Sequence, residues 1–232
     1  MTLALKALNG GTVDVTQPKL KDLSAALSGT LIDKADSEYD EARSVWNGMI
    51  DRHPGKIVRA HNTNDIRLTV NFARENDLLL AIKSGGHQIA GHAVADGALL
   101  LDLSQMREVV VDVKKSTAKV QPGCLLSDVD AATQIHGLAV PLGINSTTGV
   151  AGLTLGGGFG WITGKHGLTI DNLISAEVVC ADGEVRVASA NQHPDLFWAI
   201  RGGGGNFGVI SSFEFALHPI GPEVLSGLIV HP

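Results

Sequence analysis

Residues 78–92, LLLAIKSGGHQIAGH, hold the motif on which the interpretation of the fold depends. The apolar run at their start predicts a strand, and it passes directly into Gly85 and Gly86. Glycine pairs mark places where the backbone turns tightly or approaches another group closely. His87 follows that pair, so an imidazole is fixed at the end of a strand, and we take this turn as a candidate site.

Two further stretches are equally rich in glycine: residues 149–161, GVAGLTLGGGFGW, and residues 201–209, RGGGGNFGV. Glycine accounts for 28 of 232 residues, which is well above the usual share of about 7%. Successive backbone N–H groups in such turns point into one concavity and can hold a phosphate without side-chain charge. The pattern therefore predicts loops that bind a pyrophosphate or dinucleotide, and tight turns without a ligand are the alternative.

Three other site types are less well supported by the sequence. Residues 203–208, GGGNFG, match G-x-G-x-x-G, but a predicted helix precedes them and a strand follows, the reverse of a Rossmann motif. His87 and His92 are five apart and have no H-E-x-x-H pattern, so we predict no metal. The G-x-S-x-G element of many serine hydrolases is missing.

Composition narrows the classes of partner. The chain is 44% hydrophobic and 18% charged, with a net charge of −6. It has no run of Lys and Arg, which argues against nucleic-acid binding, and no long apolar span typical of a membrane helix. Cys124 and Cys180 are outside any C-x-x-C pair, and residues 1–15 lack the apolar core of a secretory signal. We therefore expect a cytoplasmic protein.

Strand and helix patterns occur without strict βαβ alternation, which favours an α+β fold over a doubly wound sheet. Residues 175–189, SAEVVCADGEVRVAS, indicate a hairpin, and we expect Asp182-Gly183 to form its type I′ turn. We divide the chain into a helical lead-in (1–50), a main domain (51–220) and the start of a further, truncated domain (221–232). Residues 224–232, VLSGLIVHP, are the expected first strand of that domain.

Three segments together carry a family likeness: IKSGGHQIAGH (82–92), PLGINSTTGVAGLTLGGGFGWITGKHGLTIDNL (141–173) and DLFWAIRGGGGNFGV (195–209). Their order and spacing resemble the FAD-binding domain of the berberine-bridge-enzyme-like FAD-linked oxidases, which is of the p-cresol methylhydroxylase and vanillyl-alcohol oxidase type. The likeness covers roughly residues 50–220. It implies an α+β FAD-binding domain of two subdomains, followed by a substrate domain that is largely missing from this chain.

The resemblance also assigns roles to residues. It implies that residues 84–91 wrap the pyrophosphate and that His87 is bonded to the 8α-methyl carbon of the flavin. Asn145 stands where many relatives carry a cysteine that forms a second link, so we expect one covalent link only. The residues implied in FAD binding beside His87 are Lys83, Ser84, Gly85, Gly86, Gln88, Gly91, His92, Gly143, Asn145, Thr147, Thr148, Gly149, Gly152, Gly156, Gly157, Gly160 and Ile210.

The activity that the resemblance implies is oxidation of an organic substrate, such as an alcohol, a sugar or a secondary metabolite. A hydride would pass to the flavin, and molecular oxygen is the expected acceptor. We expect the catalytic base to lie outside this chain. The alternative is a dissociable FAD-binding module without catalysis of its own.

Overall fold

The computed structural model describes residues 2–221, 223–225 and 227–231. The helices are α1 (Gln17–Ala26), α2 (Tyr39–Arg43), α3 (Thr63–Glu75), α4 (Leu126–Gln134), α5 (Val150–Leu155), α6 (Thr163–His166) and α7 (Pro194–Ile200). The strands are β1 (Thr2–Lys6), β2 (Thr12–Thr16), β3 (Thr30–Ile32), β4 (Lys56–Arg59), β5 (Leu80–Lys83), β6 (Leu99–Asp102), β7 (Val109–Asp112), β8 (Thr117–Val120), β9 (Leu138–Ala139), β10 (Leu173–Val179), β11 (Val185–Ser189), β12 (Val209–Ala216) and β13 (His218–Pro219).

Two larger sheets organise the chain. The first has the order β3-β4-β6-β5, in which β4, β6 and β5 run parallel and β3 is antiparallel. The second has the order β11-β10-β12-β8-β7, with every neighbouring pair antiparallel. One sheet is mostly parallel and the other entirely antiparallel, which confirms the α+β architecture with two subdomains.

Strand β6 explains how the first sheet is packed. Its residues Leu99, Leu100 and Leu101 are fully buried, because both faces of the strand are covered. Leu99 and Leu101 join the apolar cluster that also contains Val179 and Val209 of the second sheet, whereas Leu100 joins a cluster on the opposite face. The two sheets therefore share a hydrophobic core.

The first 50 residues differ from the expected helical lead-in. Beside α1 and α2 they contain β3 and an antiparallel hairpin of β1 and β2. Residues Leu5 and Val15 of this hairpin are buried in the same core as β6. The signal in the sequence was the short alternation TLALK and TVDVT, five residues each, which we did not interpret as strands.

Two other expectations change. The hairpin over residues 175–189 forms, but only Gly183 of its turn has a positive φ, at 82°. A type I′ turn needs positive φ at both central residues, so the turn type was wrong. In the expected strand at 224–232, the described residues are not in a strand, and residues 226 and 232 lie outside the described residues. The proposed domain boundaries stay a prediction.

Candidate functional site

A cavity of about 530 Å³ lies where the three glycine-rich stretches meet. The first stretch follows β5, the second contains α5 and the third leads into β12. The cavity therefore opens between elements of the two sheets. Eleven of the residues predicted from the sequence line it: Ser84, Gly85, Gly86, His87, Gln88, His92, Thr148, Gly149, Gly152, Gly156 and Ile210.

The loop after β5 presents a run of free backbone donors. Among the described residues, none accepts a hydrogen bond from a backbone N–H of residues 84–90. Gly86 has a φ of 66°, which turns the loop in a conformation that favours glycine. Gly86 is buried and residues 84, 85 and 87 are half-buried, whereas residues 88–90 are exposed. Backbone N–H groups shielded from water are nearly always paired, so the unpaired donors of residues 84–87 beside the cavity indicate a ligand rich in acceptor oxygens.

Glycines at the cavity differ in what surrounds them. A Cβ on Gly85 would lie 2.5 Å from the Cα of Gly149, so these loops meet backbone to backbone. At Gly152 an added Cβ would meet no atom within 4 Å, and the residue lines the cavity. Gly85 and Gly149 therefore allow the two loops to pack against each other, whereas Gly152 leaves space that a ligand can occupy.

His87 is held at the cavity by contacts from two directions. Its ring stacks on Trp46, with 5.1 Å between the ring centroids and 24° between the planes. Its Nε2 lies 3.1 Å from Thr147 Oγ1, and Thr147 donates in turn to Asn145 Oδ1 at 2.9 Å. Burial lowers the pKa of His87, so the imidazole is neutral and keeps a lone pair near neutral pH. Asn145 and Thr147 thus reach the site through His87, although they do not line the cavity.

Lys83 takes a different place from the one predicted for it. Its side chain is buried beneath the loop, where Nζ donates to the carbonyl of Ala42 and lies 3.6 Å from Asp102 Oδ1. Burial lowers the pKa of this amine, and the Asp102 carboxylate opposes that shift. Arg59 also contacts Asp102, at 3.3 Å. Lys83 therefore fixes the loop from below and does not line the cavity.

Four predicted glycines also lie outside the cavity lining: Gly91, Gly143, Gly157 and Gly160. A Cβ on Gly160 would lie 1.6 Å from the carbonyl oxygen of Leu142, and one on Gly91 would lie 2.7 Å from the Ile50 side chain. Close packing between segments of the protein accounts for these two glycines.

Several residues that line the cavity were not predicted. Gly204, Gly205 and Gly208 come from the third glycine-rich stretch, which the sequence had already singled out without assigning its glycines. The apolar wall includes Leu103, Pro122 and Val209, which looked like ordinary strand and turn residues. No pattern in the sequence indicated Trp46, because its contact with His87 joins residues far apart in the chain.

The described part of the chain has neither a cluster of metal-binding side chains nor a membrane-spanning helix. Within residues 2–221, 223–225 and 227–231, no three His, Cys, Asp or Glu side chains are grouped as metal ligands. No helix in these ranges has the length and apolar character needed to span a bilayer.

Comparison with known proteins identifies the family. The model of the FAD binding domain matches residues 54–189, more than half of the chain. The chain belongs to the FAD-linked oxidases. Within this family it is 35% identical over 204 residues to (R)-6-hydroxynicotine oxidase of Paenarthrobacter nicotinovorans, an alignment that covers 88% of this chain and 44% of that protein.

Solved structures of FAD-linked oxidases have the same fold. BBE-like 1 from Physcomitrella patens superposes with a TM-score of 0.80 at 29% identity, over 86% of this chain and 44% of that one. Glucooligosaccharide oxidase from Acremonium strictum gives 0.80 at 34% identity, over 86% and 42%, and is described with a 6-S-cysteinyl, 8α-N1-histidyl FAD. These names confirm the resemblance to the berberine-bridge-enzyme-like proteins. The chain spans less than half the length of these relatives.

Proposed function

We propose that this chain forms the FAD-binding part of an oxidase, with the flavin linked covalently through His87 alone. The observation that carries the proposal is the run of unpaired backbone N–H groups at residues 84–87, all of which line the cavity. A dinucleotide supplies both a pyrophosphate for these donors and a flat ring system for the space between the loops. The donor set and the open face at Gly152 therefore fit FAD.

The residues of the chain act on the cofactor by binding and orientation. Backbone N–H groups of residues 84–87 would neutralise the pyrophosphate without a salt bridge. The apolar wall of Leu103, Pro122 and Val209 excludes water from one side of the cavity. When bound, the flavin supplies the acceptor for a hydride, and the protein holds that ring against the substrate.

Attachment through one residue follows from the side chains near the cavity. His87 is neutral and half-buried, so its lone pair can form a bond to carbon. Asn145 has no nucleophilic sulfur, and it is engaged with Thr147. Cys124 is buried, and burial raises the pKa of its thiol to about 12, which keeps it protonated and unreactive. These features support a single link.

The substrate proposed for the whole protein is an alcohol, a sugar or a secondary metabolite, with dioxygen as the electron acceptor. The support is the naming of relatives as oxidases of a hydroxynicotine and of an oligosaccharide. These two substrates differ widely in chemistry, so the proposal is confined to small organic molecules that can give up a hydride.

A visible spectrum and an acid precipitation test the proposal together. We expect the purified chain to be yellow and its acid precipitate to stay yellow after washing. His87→Ala should release all flavin into the acid supernatant. Yellow colour that washes out of the wild-type precipitate would refute the covalent link and favour a dissociable FAD-binding module, and a colourless protein with no affinity for added FAD would refute flavin binding.

A further inference from the structure

Two side chains next to His87 form a hydrogen-bond chain that ends at its ring. Thr147 Oγ1 lies 3.1 Å from His87 Nε2, and the same hydroxyl lies 2.9 Å from Asn145 Oδ1. His87 follows β5, whereas Asn145 and Thr147 precede α5. The chain of contacts therefore connects the two loops that bound the cavity.

The backbone fixes the direction of these hydrogen bonds. The backbone N–H of Thr147 can only donate, and it meets the same Asn145 oxygen at 3.2 Å. The Asn145 amide therefore turns its oxygen toward Thr147, and an amide oxygen only accepts. The one hydroxyl hydrogen of Thr147 is directed at Asn145, so the hydroxyl presents a lone pair to His87.

An acceptor opposite Nε2 requires a hydrogen on that nitrogen. A neutral imidazole carries a single ring hydrogen, so the lone pair is then on Nδ1. We propose that Asn145 and Thr147 are positioning residues that hold His87 as the Nε2–H tautomer. This tautomer leaves a lone pair on Nδ1, the N1 nitrogen that carries the flavin in the glucooligosaccharide oxidase. The inference rests on the proposed attachment through His87.

Trp46 adds a second restraint on the same ring. It stacks on the imidazole of His87, and its own backbone N–H donates to the carbonyl of Gly86 at 3.1 Å. Stacking fixes the plane of the ring, and the contact with Thr147 fixes its rotation within that plane. Together they leave Nδ1 in one orientation.

With dioxygen as the oxidant, the atoms and electrons of the attachment reaction balance. Nδ1 supplies the electron pair of the new bond to the 8α carbon, and one C–H bond of that methyl group breaks. Dioxygen accepts the two electrons of the broken C–H bond. It also takes up two protons, one from the methyl carbon and one from Nε2, which is lost beside Thr147. The product is hydrogen peroxide. The imidazole ends with Nδ1 substituted and Nε2 unprotonated.

The test compares the wild type with Thr147→Val, which removes the hydroxyl at nearly constant volume, and Thr147→Ser, which keeps it. Ser146→Ala is the control, because Ser146 is an exposed hydroxyl of the same turn that makes no side-chain hydrogen bond to the described residues. Bound flavin is measured before acid treatment, and covalent flavin after it. The flavin-bearing peptide is isolated, and NMR identifies which ring nitrogen carries the 8α carbon.

We expect linkage through Nδ1 in the wild type, Thr147→Ser and Ser146→Ala. In Thr147→Val, flavin binding is retained, attachment slows by about tenfold, the effect of one hydrogen bond to a reacting group, and the product contains both isomers. Linkage of the wild type through Nε2 overturns the inference. Wild-type rate and isomer in Thr147→Val overturn it as well.

A wild type without covalent flavin refutes the proposed attachment instead. The inference is then tested by the tautomer of His87, which a long-range ¹H–¹⁵N spectrum of the ring nitrogens reports. The His87 signals are assigned by comparison with His87→Gln. A hydrogen on Nε2 supports the positioning role of Thr147, and a hydrogen on Nδ1 overturns it.

Discussion

Gly85 and Gly149 meet backbone to backbone across the cavity wall. A Cβ on Gly85 would lie 2.5 Å from the Cα of Gly149, and a Cβ on Gly149 would lie 2.7 Å from the amide nitrogen of Gly85. One residue belongs to the loop after β5 and the other immediately precedes α5. This contact brings the first and second glycine-rich stretches together, so both the stability of the chain and the shape of the site depend on it.

Gly149→Ala tests that contact. The new methyl group collides with the backbone of Gly85, which cannot move aside as a flexible side chain could. We expect a loss of about 1–3 kcal/mol in the free energy of unfolding, which is typical of overpacking, together with weaker flavin binding. Urea denaturation and flavin titration measure the two effects. Gly164→Ala, where an added Cβ meets no atom within 4 Å, is the control.

Gly152→Ala separates binding from packing. Its methyl group enters open space on the cavity side of α5, so the fold has room for it. The free energy of unfolding of the flavin-free chain should stay equal or rise by about 0.5–1 kcal/mol, because alanine favours a helix over glycine. Flavin binding should nevertheless weaken. If flavin binds Gly152→Ala with wild-type affinity, the cofactor does not lie against this helix.

Asp102→Asn tests the buried ion pairs beneath the loop. Asp102 is completely buried and contacts both Arg59 and Lys83. Removing its charge leaves the buried Lys83 without an ion-pair partner among the described residues and leaves Arg59 with Glu38 alone. Breaking such a buried pair costs about 3–5 kcal/mol. Urea denaturation should show this loss. Asp182→Asn breaks the exposed pair with Arg186 and should leave the midpoint unchanged; equal effects in both variants would contradict the account of Lys83.

His218 predicts a dependence of stability on pH. Its ring stacks on His166 at 4.0 Å, and burial, followed by the nearby His166 and Lys165, lowers its pKa below the ordinary 6.5. Between these two pKa values the unfolded chain binds more protons, so the free energy of unfolding rises with pH. The stabilisation is complete above pH 6.5 and is lost as the pH falls through that window.

Urea midpoints measured from about pH 5 to pH 8, the range in which histidine titrates, should show this slope. His218→Gln should make the slope of the midpoint against pH shallower. Part of the slope should remain, because burial also lowers the pKa of His87. His136→Gln, at an exposed position, is the control and should retain the wild-type slope. An unchanged slope in His218→Gln would show that the stacked pair does not titrate in this range.

The glycine motifs predicted much of the site because their signal is local. Residues 84–88 and Gly149 to Gly156 lie in continuous stretches, and a loop that binds through its backbone is visible in the sequence itself. The apolar run before the first loop also predicted strand β5 correctly. This strand lies at the edge of its sheet and buries alternate residues, whereas the strand covered on both faces is its neighbour β6.

Long-range contacts account for what could not be predicted. Lys83 is drawn beneath the loop by Asp102, which is contributed by the neighbouring strand β6. The stacking of Trp46 on His87 joins residues separated by 41 positions. The turn at Gly183 was misjudged because Asp-Gly fits more than one hairpin type, and its φ values are set by the folded backbone.

The central claim is a flavin bound through His87 alone, and peptide mapping tests it most directly. Trypsin releases residues 84–107, which contain His87, separately from residues 120–165, which contain Cys124 and Asn145. The account predicts a mass gain of one FAD on residues 84–107, located at His87 by fragmentation, and an unmodified mass for residues 120–165. Flavin on residues 120–165, or both peptides unmodified in a protein that was yellow before digestion, would contradict it.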